Sequence, residues 1–158
     1  MTITESNIVL NRTGERIISA DSHVAITQDQ VKANLDPKFH PDYDKAQQAF
    51  AARVAANMSS AKVNADAMKR NPHAAFSRPG YHTALDRLAD MDADGVDIEV
   101  IYSEVSAFRY IGDMERGAAE ATRAFNDVLT QFASADPRRL VVSYQIPIHD
   151  IDAAVTEV

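Results

Sequence analysis

Asp21 and His23 are the residues of this chain whose types and spacing best suit chemistry. They follow Ile17 and Ile18, the apolar centre of a strand expected over residues 16–20, and so stand at its C-terminal end. Side chains two apart on a strand point the same way. A carboxylate oxygen and an imidazole nitrogen placed together there make a workable pair of ligands for zinc or manganese. Open α/β sheets and (β/α)8 barrels both bind their ligands at the C-terminal ends of the strands. By spacing alone, however, Asp-x-His is a weak motif. Asp21 as a turn-former and His23 as a hydrogen-bonded loop residue describe it equally well.

Other chemistry-bearing residues rank lower. His149, just after a third expected strand, could touch a substrate, but a solvent-facing loop histidine is the simpler reading. His40, His73 and His82 are spaced like no metal motif. Asp90, Asp92, Asp94 and Asp97 could suggest calcium, yet the segment lacks the glutamate that completes an EF-hand loop and reads better as a helix end with its solvated turn. Phe125, Phe132 and Tyr144 are most simply core residues.

The elements that would position Asp21 and His23 follow from periodicity. Residues 1–15 are a polar lead-in and turn. A long stretch over 25–80 contains one helix, expected at 43–58 from Ala46, Ala49, Phe50, Val54 and Ala55, and is bracketed by Pro37, Pro41, Pro72 and Pro79. Its length suits either a lid or a surface excursion. Thr83 with Asp86 resembles a capping box and Gly95 sits where a C-cap belongs, giving a helix over 83–94. The β-branched run 96–102 is a second strand. Apolar residues from Met114 through Phe125 and Leu129 to Phe132 recur at helical spacing until Pro137. A third strand is expected at 139–146. Asp150 reads as the N-cap of a last helix.

Strands separated by helices imply parallel pairing through right-handed crossovers. Three parallel strands leave edges and faces thinly covered, so the chain reads as the opening of something larger, or as one that self-associates into a homo-oligomer.

Read together, the flanking words are more specific than the pair itself. Ile18-Ser19-Ala20-Asp21-Ser22-His23-Val24 resembles the opening strand of the amidohydrolase-2 family, the amidohydrolase-related proteins that include aminocarboxymuconate semialdehyde and resorcylate decarboxylases. Arg78-Pro79-Gly80-Tyr81, Leu85 and the run Arg87-Leu88-Ala89-Asp90-Met91-Asp92-Ala93-Asp94-Gly95-Val96-Asp97 are similar to that family's next segment. Phe125-Asn126-Asp127, Asp136-Pro137-Arg138-Arg139-Leu140 and Ile146-Pro147 then resemble its second helix and third strand, in the right order.

The resemblance covers all but residues 1–14 and the middle of the 25–80 insertion. It implies the N-terminal part of a distorted (β/α)8 barrel with one divalent metal, zinc or manganese, at its mouth. Asp21 and His23 match the carboxylate-x-His form of the family's first ligand pair. The family's other ligands, a histidine and an aspartate from later strands, would lie beyond Val158, so residues 1–158 are expected to form an incomplete barrel domain.

The implied chemistry is hydrolysis of a small amide, ester or carboxylate substrate. The alternative is non-oxidative decarboxylation of an aromatic or unsaturated acid, which Asp21 and His23 alone do not distinguish. A reading from another class is a flavodoxin-like binding domain or a non-catalytic fragment. Composition narrows the field further. At 158 residues, 46% hydrophobic and 25% charged, the chain has a globular composition, and its net charge of −7 opposes phosphate-tracking nucleic-acid binding. With no cysteine, disulfides, thiolate catalysis and cysteine-held metals are excluded. The start resembles no signal peptide and no apolar run spans a bilayer, so no membrane partner and a cytoplasmic address are expected.

Overall fold

Three short apolar runs pair side by side in a computed structural model of the protein, which describes residues 14–60, 78–103, 109–148 and 150–157. They are β1 (Ile18–His23), β2 (Ile98–Tyr102) and β3 (Leu140–Val142), in spatial order β1-β2-β3 and all parallel. The architecture is thus α/β with a three-stranded parallel sheet, as the alternation of strand-like and helix-like runs requires. The lead-in over residues 1–13 lies outside the described residues.

β1 starts later and runs further than its apolar content suggests, so Asp21 and His23 stand inside it. Ile17 is taken up by Asp97, whose Oδ2 accepts the Ile17 amide at 2.9 Å and whose own amide donates to the Ile17 carbonyl at 2.9 Å. β3 is shorter than the expected 139–146. Ser143 still donates to the Ile101 carbonyl at 2.9 Å, but Gln145 then leaves the ladder for the side-chain amide of Asn126. Asn126 donates to the Gln145 carbonyl at 2.8 Å and accepts from its amide at 2.9 Å, satisfying both backbone groups as a neighbouring strand would. Tyr144, expected in the core, is instead half exposed, with its hydroxyl 3.1 Å from that of Thr130. Its place just past the end of β3 leaves it no layer to pack under.

Among the described residues the helices that accompany the strands are α1 (Gln28–Asn34), α2 (His40–Ser60), α3 (Ala84–Asp94), α4 (Ala118–Ala133) and α5 (Ile151–Glu157). α1 lies in the 25–80 stretch, for which the sequence predicts only the helix at 43–58. Its signal was Thr27 followed by Gln30, a reciprocal capping box in which Thr27 accepts from the Gln30 amide and Gln30 accepts from the Thr27 amide. His40 then closes the other end of α1, its Nε2 lying 3.1 Å from the Lys32 carbonyl and 3.0 Å from that of Leu35.

α3 forms as its caps dictate. Thr83 accepts from the Asp86 amide, and Gly95 adopts φ 73°, a left-handed conformation that lets the Val96 amide reach the Met91 carbonyl at 2.8 Å. α5 begins where Asp150 accepts from the Ala153 amide at 3.0 Å. α4 buries Ala121, Ala124, Phe125, Val128 and Leu129 along one stripe. Met114 is also buried, but in the loop before that helix rather than in it.

The core fills one face of the sheet. Ile101 and Leu140 point into it from β2 and β3, meeting Met91 of α3, Phe125 and Leu129 of α4 and Val31 of α1. Burying a large apolar side chain there stabilises by about 1.5–3 kcal/mol each. The opposite face stays open, with Ile18 55%, Val141 45% and Tyr102 40% exposed.

α2 is fastened at one end to the loop that follows β2. Tyr43 meets Tyr110 edge-on with ring centres 5.2 Å apart and hydroxyls 3.1 Å apart, and Phe50 lies 6.0 Å from the same ring. Burial foremost raises both phenols above their ordinary value, Tyr43 by far the more. Asp42 pairs with Arg116 at 2.8 Å, Lys45 with Glu115 and Arg53 with Asp113. Gly117, at φ 77°, closes this loop: a Cβ there would lie 2.5 Å from the Phe39 ring. Among the described residues no helix is long and apolar enough to cross a membrane.

Candidate metal centre

β1 carries one residue more than its ladder needs. Ser19 pairs with Glu99 and Ser22 with Ile101, so three steps along β1 match two along β2. In a regular strand Ser19 and Ser22 would face opposite sides. The bulge puts both on the covered face, where their hydroxyls lie 2.9 Å apart. Asp21 and His23, alternating with buried Ser22, therefore turn to the open face, and His23 sits in register with exposed Tyr102. Parity counted from Ile18 and Ser19 would have put them under the helices.

The two side chains converge. His23 Nε2 lies 3.6 Å from Asp21 Oδ1, with the imidazole 24% and the carboxylate 91% exposed. The other ring nitrogen, Nδ1, is 3.3 Å from the Tyr102 carbonyl. A carbonyl only accepts, so Nδ1 carries the proton and Nε2 presents either a lone pair or a second proton toward Asp21. Two donors about 2.1 Å from a zinc ion and 3.6 Å apart subtend roughly 120° at it, near the tetrahedral angle. A histidine whose far nitrogen donates to a backbone carbonyl is also the usual form of a metal-bound imidazole. The pair fits as part of a zinc or manganese shell.

It is only part of one. Among the described residues no third histidine, aspartate or glutamate joins Asp21 and His23 in a group able to hold a metal. His40 is committed to α1, and His82 lies in the turn before α3, its amide donating to Pro79. His73 and His149 fall outside the described residues. The acidic run is not a site either. Asp90 pairs with Arg78 at 2.9 Å, Asp92 with Arg139 at 2.7 Å, and Asp97 anchors Ile17.

Beyond the end of β3, also on the C-terminal side of the sheet, lies an open cavity of about 430 Å³ lined by Ile111, Gly117, Glu120, Gln145, Ile146 and Ile148. Asp21 and His23 are not part of its wall.

Two features of the site were hidden from sequence reasoning. The bulge leaves no mark in residue type, because Ala20 suits a regular strand as well. Arg87, whose Nη2 donates to the His23 carbonyl, had a signal in the quoted run that begins with it, but no spacing rule links it to residue 23. Compared with protein-family models and with curated protein sequences, the chain matches none.

Proposed function

We propose that this chain is the opening segment of a (β/α)8 barrel enzyme, a metal-dependent hydrolase of the amidohydrolase type acting on a small organic substrate in the cytoplasm. Asp21 Oδ1 and His23 Nε2 are its first two ligands to a single zinc or manganese ion. One observation carries the reading: the two donor atoms converge at 3.6 Å on the solvent-open face while Nδ1 is tied to the Tyr102 carbonyl. The apolar open face of the sheet supports the barrel, since Ile18, Val141 and Tyr102 are what a lumen-facing layer requires and what a solvated surface does not.

A metal bound there supplies Lewis acidity toward the substrate. The chain's own residues hold the donors in place. The Tyr102 carbonyl keeps the imidazole proton on Nδ1 and so leaves Nε2 free to coordinate. Asp21, nearly fully exposed, brings the negative charge that offsets a divalent cation. Tyr102, beside His23 on the same face, offers aromatic surface to an organic substrate.

The test is metal content. His23→Ala and Asp21→Asn are expected to lower zinc or manganese occupancy on elemental analysis, and hydrolytic activity with it. Unchanged occupancy in both variants refutes the assignment.

A further inference from the structure

Behind the metal pair, on the covered side of the sheet, lies a buried charge pair that forms poor hydrogen bonds. Arg87 of α3 and Glu99 of β2 have side chains only 12% and 9% exposed, and Arg87 Nε stands 3.5 Å from Glu99 Oε2. Both of those atoms are buried without a hydrogen-bond partner among the described residues. As a stabilising device this is a poor choice, because apolar residues of similar volume commonly serve as well or better than a buried ion pair. The guanidinium does something apolar residues cannot: its Nη2 donates to the main-chain carbonyl of His23.

We propose that Arg87 is the positioning residue of the Asp21–His23 pair, acting through the His23 carbonyl and held by Glu99. This inference rests on the metal reading above. Fixing the His23 carbonyl fixes the plane of its peptide, and with it the direction in which the imidazole leaves the strand just past the bulge. A planar, forked cation suits the task better than a flexible ammonium. The Tyr81 ring flanks the guanidinium, 5.2 Å from its carbon. The same turn reaches the chain just past the strand directly, because the Ala25 amide donates to the Tyr81 carbonyl at 2.9 Å. The turn is itself held against α3, by Arg78 on Asp90 at 2.9 Å and by Gly80, where a Cβ would collide with the Asp90 carboxylate. Arg78-Pro79-Gly80-Tyr81 thus braces the end of β1 from below.

Four variants of the full chain test this: Arg87→Met, Arg87→Lys, Arg87→Met combined with Glu99→Leu, and Arg139→Met as a control at the other end of the sheet. The double variant leaves no lone buried charge and decides the matter if Arg87→Met fails to fold. The readouts are calorimetric affinity for zinc alone, referred to His23→Ala, and the His23 ring tautomer by NMR in metal-free protein. Arg87→Met and the double variant are expected to weaken zinc binding about ten- to a hundredfold and to release the fixed Nδ1–H tautomer. Arg87→Lys should recover part of both, and Arg139→Met should lower only the melting temperature. A folded double variant with wild-type zinc affinity and tautomer overturns the proposal, as does an equal loss in Arg139→Met. If the wild type binds no zinc, the tautomer decides: its loss in the double variant upholds the positioning role while the metal reading fails, and its persistence ends both.

Discussion

The two ends of the sheet are built on opposite plans. At the N-terminal end of the strands Arg139 ties everything down, donating to the Asp97 carbonyl at 3.0 Å and the Val96 carbonyl at 2.9 Å and pairing with Asp92 at 2.7 Å. Asp97 in turn clamps Ile17 through both its carboxylate and its amide. Polar groups there are matched by short bonds. At the C-terminal end Asp21 is almost fully exposed, its contact with His23 is too long for a hydrogen bond, and the Arg87 guanidinium that reaches the His23 carbonyl leaves its own Nε without one among the described residues. One end is organised for stability and the other holds back bonding capacity, a division expected when ligands enter at strand C-termini.

The sharpest way to break this contrast is to remove the layer shared by both ends. Phe125 is fully buried under the sheet, and Phe125→Ala is expected to cost about 3–5 kcal/mol by denaturant unfolding and to abolish zinc binding with the fold. A variant that lost zinc but kept its stability would show that the rim does not depend on this core. Next comes the base alone. Arg139→Met forfeits its charged hydrogen bonds to two backbone carbonyls, worth about 2 kcal/mol, yet should leave metal occupancy intact. At the rim the signs reverse. Asp21→Asn, at a side chain 91% exposed, should move stability by no more than about 0.5 kcal/mol while metal is lost.

The smallest effect lies at α2. The Arg116 guanidinium hydrogen-bonded to Asp42 holds that carboxyl below its ordinary 3.8. A lowered folded value means the contribution is present above the ordinary carboxylate range and fades as pH falls through the folded value. Asp42→Asn should therefore flatten the acid limb of the melting-temperature profile below about pH 4 and leave the neutral limb near its wild-type course. An acid limb of unchanged slope would show that this ion pair adds nothing to the docking of α2.

How much of this was legible in the residues differs by element. α3 could be read from Thr83, Asp86 and Gly95 because capping is local: Thr83 accepts from the Asp86 amide and Gly95 turns left-handed, although the reciprocal half of the expected box does not form, the Thr83 amide donating to the Pro79 carbonyl instead. α4 could be read from its apolar stripe. α1 was also written locally, in Thr27 and Gln30, but lay in the 25–80 stretch, where apolar spacing pointed only to the helix at 43–58. β3 was overestimated because its β-branched run says nothing of Asn126, which takes over the backbone of Gln145 from a residue nineteen positions away. At the site, the identities of Asp21 and His23 were visible, and so was their common face. Which face that is was not, because it depends on a ladder count between β1 and β2 that neither strand records by itself.

That count has a further consequence. If Ala20 were removed, β1 and β2 would run in strict step, and Ser22 would still fall opposite Ile101 with Asp21 and His23 on its other side. The surplus residue is therefore not needed to choose the side of the sheet; what it adds is a bend and a local twist in the backbone between Ser19 and Ser22. A chain shortened by that single alanine would separate the two contributions, keeping both donor groups in view of solvent while changing only the angle at which they approach each other.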